Sequence, residues 1–177
     1  AFGEVGHWPG EGVSPCRCGR RGCLEVALGP ETLVKRYRAL GGTASTLEGL
    51  LAGARAGEEA ALLALRQLGE ALGRFLANLA VAYDPARVVV GGRVAELFPF
   101  LEASLRASLQ AHAFLEAHRR LPVAPSVYGH LAPAVGGASL FLARFFELGG
   151  LWAEGPRRNG GEGYAEVAFG DRYGLGA

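Results

Sequence analysis

Cys16, Cys18 and Cys23 are the only cysteines of the chain. They fall in a C-x-C-x4-C spacing, with His7 nine residues upstream. Three thiolates and one imidazole complete a tetrahedral donor set for zinc. Gly19-Arg20-Arg21-Gly22 separates the last two thiols, and its glycines let so short a loop fold back tightly enough for the sulfurs to converge. A disulfide framework competes, but three cysteines cannot pair fully, and a secretory leader with a charged start, apolar core and cleavage site is not expected. Chance clustering in an apolar chain is the remaining alternative. Clustered free thiols fit a reducing compartment, so a cytoplasmic protein is expected.

Two carboxylates flank this loop. Glu4 precedes His7 and Glu25 follows Cys23, so a metal drawing His7 to Cys23 brings both glutamates close. Taken singly, each reads as a solvated charge, and Glu25 also suits the first turn of a helix beginning near Leu24. The whole string, Gly3-Glu4-Val5-Gly6-His7 followed by Cys16-Arg17-Cys18-Gly19-Arg20-Arg21-Gly22-Cys23-Leu24-Glu25, resembles the signature of the ROK family. That signature runs G-E-x-G-H, a spacer, then C-x-C-G-x-x-G-C-x-E, and it occurs in bacterial sugar kinases and sugar-responsive repressors. The resemblance implies zinc on His7, Cys16, Cys18 and Cys23, with Glu4, His7 and Glu25 facing the hydroxyls of a hexose. The chemistry agrees, since a carboxylate accepts two hydroxyl hydrogen bonds at once.

Composition sets further limits. A chain of 177 residues, 50% of them hydrophobic, is long enough for one domain with a real core and too apolar for disorder. Charges or glycines interrupt every apolar run before it reaches membrane-spanning length, so no membrane partner is expected. A net charge of +1 argues against a nucleic-acid interface on this chain. His112, His118 and the pair Arg119-Arg120 read as surface residues, and His130 as structural.

Several helices must position the loop. Pro30 opens one that carries Leu33, Val34 and Tyr37 on one side and ends at Gly41-Gly42. Ser45-Thr46-Leu47-Glu48 has capping-box spacing and opens a short helix through Arg55. The longest pattern, Glu58 to Tyr83, places Leu65, Leu68, Leu72, Phe75, Leu79 and Tyr83 in an apolar stripe, and Asp84-Pro85 stops it. Arg87 to Val90 reads as a short buried strand, and Leu121 to Tyr128, with two prolines, as an edge or irregular one. A helix is expected from Glu96 or Pro99 to Ala113. Another is expected from Ala134 to Leu148, after a turn region at Gly129 to Gly137.

Gly91-Gly92 follows the first strand and precedes a helix, the arrangement in which α/β folds place ligands at strand carboxyl ends. A bare Gly-Gly is more often a plain turn. The resemblance nonetheless implies that Gly91, Gly92 and Gly136 line the adenosine side of ATP; the small residues near Gly136 equally suit close helix packing.

The resemblance runs from Gly3 to about Leu148, roughly the second half of a family member. The expected fold is α/β: the helix-rich C-terminal lobe of an actin-like ATPase (ribonuclease H-like) fold with a zinc-bound loop. Residues 1–148 form that lobe, with the zinc and sugar loop at 3–25 and the nucleotide-side region at 30–148. Residues 149–177 are a glycine-rich extension whose run Tyr164 to Phe169 reads as a possible short strand. The implied parent activity is ATP-dependent, Mg²⁺-assisted phosphorylation of a hexose, glucose-like by default. The alternatives are the sugar-sensing lobe of a repressor and a non-catalytic zinc-stabilised module. The phosphate loop and catalytic aspartate are expected upstream, which makes this chain alone inactive. Too few strands for a self-sufficient sheet imply a homo-oligomer or a partner in the missing N-terminal half.

Overall fold

A computed structural model describes residues 3–10 and 12–149, with the backbone alone for 145–149. Tyr164 to Phe169 lies outside the described residues. The centre of the fold is a pair of helices, α4 (Glu59–Tyr83) and α5 (Val94–His112). Gly69 of α4 meets Leu101, Ser104 and Leu105, while Gly73 meets Leu105, Ser108 and Leu109. The meeting points advance together along both helices, so the two run parallel. A Cβ at Gly69 would lie 2.5 Å from the Leu101 carbonyl oxygen, and one at Gly73 would lie 2.4 Å from that of Leu105. The missing side chains let the backbones close, and Ser108 adds a hydrogen bond of 2.7 Å to the Glu70 carbonyl across the seam. Leu65, Leu68, Leu76, Leu97, Leu101, Leu105 and Leu109 are buried around it, each worth about 1.5–3 kcal/mol of transfer free energy. Leu65 and Leu68 bear out the predicted stripe, but Tyr83 at its end is half exposed.

Two shorter helices pack on α4. Helices α1 (Leu24–Ala27) and α2 (Pro30–Ala39) follow the cysteine loop, with Pro30 in the first turn of α2 as predicted. Tyr37 is buried, and its hydroxyl donates to the Glu58 carboxylate at 2.9 Å while accepting from the Thr43 amide at 3.2 Å. Helix α3 (Leu47–Arg55) has Thr46 as its N-cap, whose hydroxyl accepts from the Gly49 amide at 3.1 Å. The capping box predicted on Ser45 and Glu48 does not form, because the helix is capped one residue later, by Thr46, which leaves Glu48 short of the N3 position; its carboxylate pairs with Arg93 before α5.

Strand β1 (Val88–Val90) pairs in parallel with β2 (Val123–Pro125), joined through α5 and the short α6 (Glu116–Arg119). The buried strand predicted at Arg87 to Val90 is shorter, and Val89 is 59% exposed. Among the described residues, one face of this two-stranded sheet rests on the core, through Val88, Val90 and Val123. The strand predicted from Leu121 to Tyr128 shrinks to three residues: the Ser126 amide still donates to the Val90 carbonyl at 2.8 Å, but β1 ends there and turns at Gly91-Gly92, leaving no partner further on. Helix α5 begins at Val94, earlier than predicted, and carries Pro99 inside it, where a single helical hydrogen bond is forfeited. The predicted turn region at Gly129 to Gly137 is a 3-10 turn over Gly129–Leu131 followed directly by α7 (Ala132–Gly149).

His118 corrects another expectation. It is buried, not on the surface, and its Nε2 lies 3.1 Å from the Asp84 carboxylate. Asp84 caps α4 in a left-handed conformation, φ 42°, so this pair ties α6 to the end of α4.

The chain divides into two compact units, Ala1–Gly137 and Ala138–Ala177. The second is described only over residues 138–149, which are helical. No helix among the described residues is long and apolar enough to cross a membrane.

Candidate metal centre

The cysteine loop is built from backbone turns. Val5–His7 forms a 3-10 turn in which the His7 amide donates to the Glu4 carbonyl at 3.1 Å. The chain then runs antiparallel to its own continuation, through bridges at Pro9–Cys23 and Pro15–Arg21. At the tip, the Gly19 amide donates to the Cys16 carbonyl at 3.0 Å, closing a four-residue turn, and the Cys16 amide donates to the Arg20 carbonyl at 2.8 Å. Gly19 needs its positive φ of 86°. Gly22 is more constrained still, because at φ 71° a Cβ would stand 2.4 Å from the Gly12 carbonyl oxygen. The sequence C-x-C-G-x-x-G-C thus folds as it does because only glycine fits at the two reversals.

This turn brings four donors together. His7 Nδ1 lies 3.6 Å from Cys16 Sγ, Cys18 Sγ lies 3.6 Å from Cys23 Sγ, and the four ligand atoms all lie within 4.8 Å of one another. The three thiols are free, with Cys16 and Cys23 buried and Cys18 exposed. A group of this kind can hold one metal ion.

Sequence reasoning missed an arginine, because Gly19-Arg20-Arg21-Gly22 reads only as a loop. Arg20 donates to the His7 carbonyl at 2.8 Å, clasping the histidine turn to the cysteine turn. Its backbone amide and then its guanidinium hold the Cys18 thiol down at about 6. Burial, followed by the neighbouring Cys18, pushes the Cys23 thiol up to about 11. The signal available was position: an arginine two residues from one candidate ligand and three from the next.

Glu25 stands in the first turn of α1, with Oε2 3.7 Å from His7 Nδ1 and Oε1 2.9 Å from the Arg17 guanidinium. Its Cβ lies 3.5 Å from where a Gly6 Cβ would be, an ordinary van der Waals contact, so the histidine turn and α1 pack directly against each other here. Glu4 is exposed at the head of the histidine turn. A cleft of about 460 Å³ borders Glu25, and its lining takes in Cys16, Arg17, Thr32 and Lys35 but neither Glu4 nor His7. Trp8 packs against α4, with its ring centroid 6.3 Å from Phe75 and 6.5 Å from Tyr83.

The three glycines predicted on the nucleotide side fall at the other end of β1. Gly92, at φ 68°, donates its amide to the Gly129 carbonyl at 3.1 Å, and a Cβ at Gly91 would touch Ala132 Cβ at 3.4 Å. Gly136 lies one turn further along α7, with open space where its Cβ would be. The exposed His130 and Glu96 pair nearby at 3.2 Å.

Comparison with known proteins bears on both regions. The profile of the ROK family matches residues 1–144. The xylose repressor of Bacillus subtilis is 26% identical over 147 residues, covering 82% of this chain and 38% of the repressor. The kanosamine kinase of Amycolatopsis mediterranei is 35% identical over 139 residues, covering 77% of this chain and 45% of the kinase. The chain therefore spans less than half the length of these two relatives. Among solved structures, the ROK-family glucokinase of Streptomyces griseus, in complex with glucose and AMPPNP, superposes with a TM-score of 0.69 at 25% identity, covering 77% of this chain and 50% of the glucokinase. The described residues have the helix-rich fold of ROK sugar kinases, and by the match over residues 1–144 the chain belongs to the ROK family.

Proposed function

We propose that this chain is the sugar- and metal-holding C-terminal lobe of an ROK-family hexose kinase of actin-like fold. Residues 1–148 make up the lobe and 149–177 an extension. The observation that carries the reading is the placement of Glu25 beside His7, next to four converging metal donors. In this reading Glu4, His7 and Glu25 take the hydroxyls of a glucose-like hexose. Glu25 is pre-oriented from two sides by Arg17 and His7, so little side-chain entropy remains to be lost on binding.

The donor set suits zinc. Tetrahedral zinc with sulfur at ~2.3 Å places its sulfurs about 3.8 Å apart, close to the 3.6 Å between Cys18 and Cys23. A bound zinc supplies rigidity to the loop that presents His7 and Glu25. Gly91, Gly92 and Gly136 form the adenosine side, where an absent Cβ lets a nucleotide approach the backbone. Asp84 is engaged with His118, and in this reading the aspartate that takes the sugar proton, and the phosphate loop for Mg²⁺-ATP, lie in the part of the family fold that this chain, matching 45% of the kanosamine kinase, does not span. The chain alone turns over no glucose.

A second reading has one observation in its favour, the likeness to a xylose repressor. There the same pocket senses a sugar and transfers no phosphate.

Isothermal titration of glucose into the zinc-loaded chain tests the site. Binding that weakens tenfold or more, about 1.4 kcal/mol, in Glu25→Gln supports it. Glucose heat unchanged in both Glu25→Gln and Glu4→Gln removes the proposal. A non-hydrolysable ATP analogue that tightens sugar binding favours the kinase, and indifference to nucleotide favours the repressor.

A further inference from the structure

The three thiols of the metal loop are not equivalent. Cys16 is buried and faces His7 Nδ1 at 3.6 Å. Cys18 is the one exposed thiol among the three, and its sulfur lies 3.6 Å from that of Cys23, which is 2% exposed. An oxidant arriving from solvent therefore meets Cys18 first, with the Cys23 sulfur within reach of it. The loop between them also permits closure. A disulfide needs its sulfurs at about 2.0 Å, and the chain from Cys18 to Cys23 carries two left-handed glycines, Gly19 and Gly22, that already fold it back on itself. Cys16 and Cys18, separated by one residue, would have to close a much smaller ring.

We propose that Cys18 is a peroxide-reactive thiol and Cys23 its resolving partner, so that oxidation joins them in a disulfide and dismantles the metal centre. The Cys18 sulfur attacks one oxygen of hydrogen peroxide. The O–O bond breaks, leaving a sulfenic acid on Cys18 and releasing hydroxide. The Cys23 sulfur then attacks the Cys18 sulfur, the S–S bond forms and the S–O bond breaks. The two sulfurs lose two electrons, peroxide gains them, and protons from the thiols, or from solvent if the sulfurs start as thiolates, complete two waters.

The consequence for the site follows from the shared ligands. A disulfide takes two of the four donors, and His7 with Cys16 alone do not make a tetrahedral zinc site. His7 and Glu25 then lose the framework that sets their separation, and sugar affinity falls with it. In the metal-loaded chain the inference rests on the zinc reading of the four residues, whereas the pairing of Cys18 with Cys23 can be scored in metal-free protein as well.

The test is oxidation of the zinc-loaded chain with excess hydrogen peroxide. Metal release is followed by a chromophoric chelator, and thiols are mapped by alkylation and non-reducing peptide mass spectrometry, with metal-free chain in parallel. The expected result is loss of two hydrogens per chain in a Cys18–Cys23 disulfide, Cys16 still alkylated, and one zinc released per chain. Dithiothreitol followed by zinc restores the starting state. A disulfide that includes Cys16, a sulfinic acid on Cys18 beside an intact Cys23 thiol, or zinc-bound thiols that resist peroxide overturns the proposal. A chain that takes up no zinc defeats the metal reading instead, and the metal-free map then decides the pairing alone.

Discussion

The indole of Trp8 stacks on the ring of Tyr83, with centroids 6.5 Å apart and planes 17° from parallel. Trp8 follows His7 directly, and Tyr83 is the last residue of α4, so the histidine turn is moored to the end of the longest helix. One residue further, Asp84 holds His118. The metal loop, α4 and α6 thus meet at a single corner, which precedes β1 and the Gly91-Gly92 turn.

Replacing that mooring is expected to loosen the loop. Trp8→Ala should lower stability by about 1–3 kcal/mol, through lost aromatic contact and burial, and should weaken zinc binding in a competition titration. Trp8→Phe should retain most of both. Zinc affinity unchanged in Trp8→Ala would show that the loop holds its shape without α4.

The glycine seam predicts a sign that helix propensity alone does not. Gly→Ala in an open helix gains up to ~1 kcal/mol. Gly69→Ala and Gly73→Ala would instead place a methyl within 2.5 Å of backbone carbonyls of α5, which costs about 1–3 kcal/mol in forced separation. Gly136→Ala meets open space and should be neutral or stabilising. Urea denaturation of the three variants decides it, and equal behaviour would contradict the close packing of α4 on α5.

Local signals in the sequence carried the metal loop and the helix ends. The loop was legible because its ligands lie within a short stretch and its glycines sit where the turns reverse. The ends of α2 and α4 were legible because Pro30, Gly41 and Asp84-Pro85 act locally. His118 was not, because its partner Asp84 is remote in the chain and a lone histidine carries no periodic signal. Val89 was misjudged because three consecutive valines do not reveal whether a second layer covers the sheet. The seam between α4 and α5 was written as Gly69-x3-Gly73 opposite Ser104-x3-Ser108, but it becomes visible only once the two helices are known to touch.

The thiols of the metal-free chain should titrate apart. Cys18 should ionise near 6 and Cys23 near 11, by ultraviolet thiolate absorbance, against an ordinary value of 9.0. The Cys18 value is lowered on folding, so its ionised form stabilises the folded chain above about 9, and that contribution is lost as pH falls through about 6. Cys23 is raised on folding, so its contribution is complete below about 9 and is lost as pH climbs through about 11. Both thiols ionising together near 9.0 would contradict the arrangement of Arg20 around Cys18.

The sheet predicts association. β1 pairs with β2, and Val89 is exposed on the outer face. Parallel sheets are ordinarily covered on both faces. Sedimentation equilibrium of the isolated chain should therefore find a concentration-dependent oligomer. A cooperatively melting monomer at every concentration would count against this.

The role proposed for the cysteine loop depends on His7, Cys16, Cys18 and Cys23 sharing one metal. X-ray absorption at the zinc edge of the purified, zinc-loaded chain measures that shell directly. Three sulfurs at about 2.3 Å and one nitrogen at about 2.0–2.1 Å, with one zinc per chain and most of it lost in Cys18→Ser, are the result predicted. A shell dominated by oxygen, a four-sulfur shell recruited from two chains, or zinc retained in full by Cys18→Ser would contradict it.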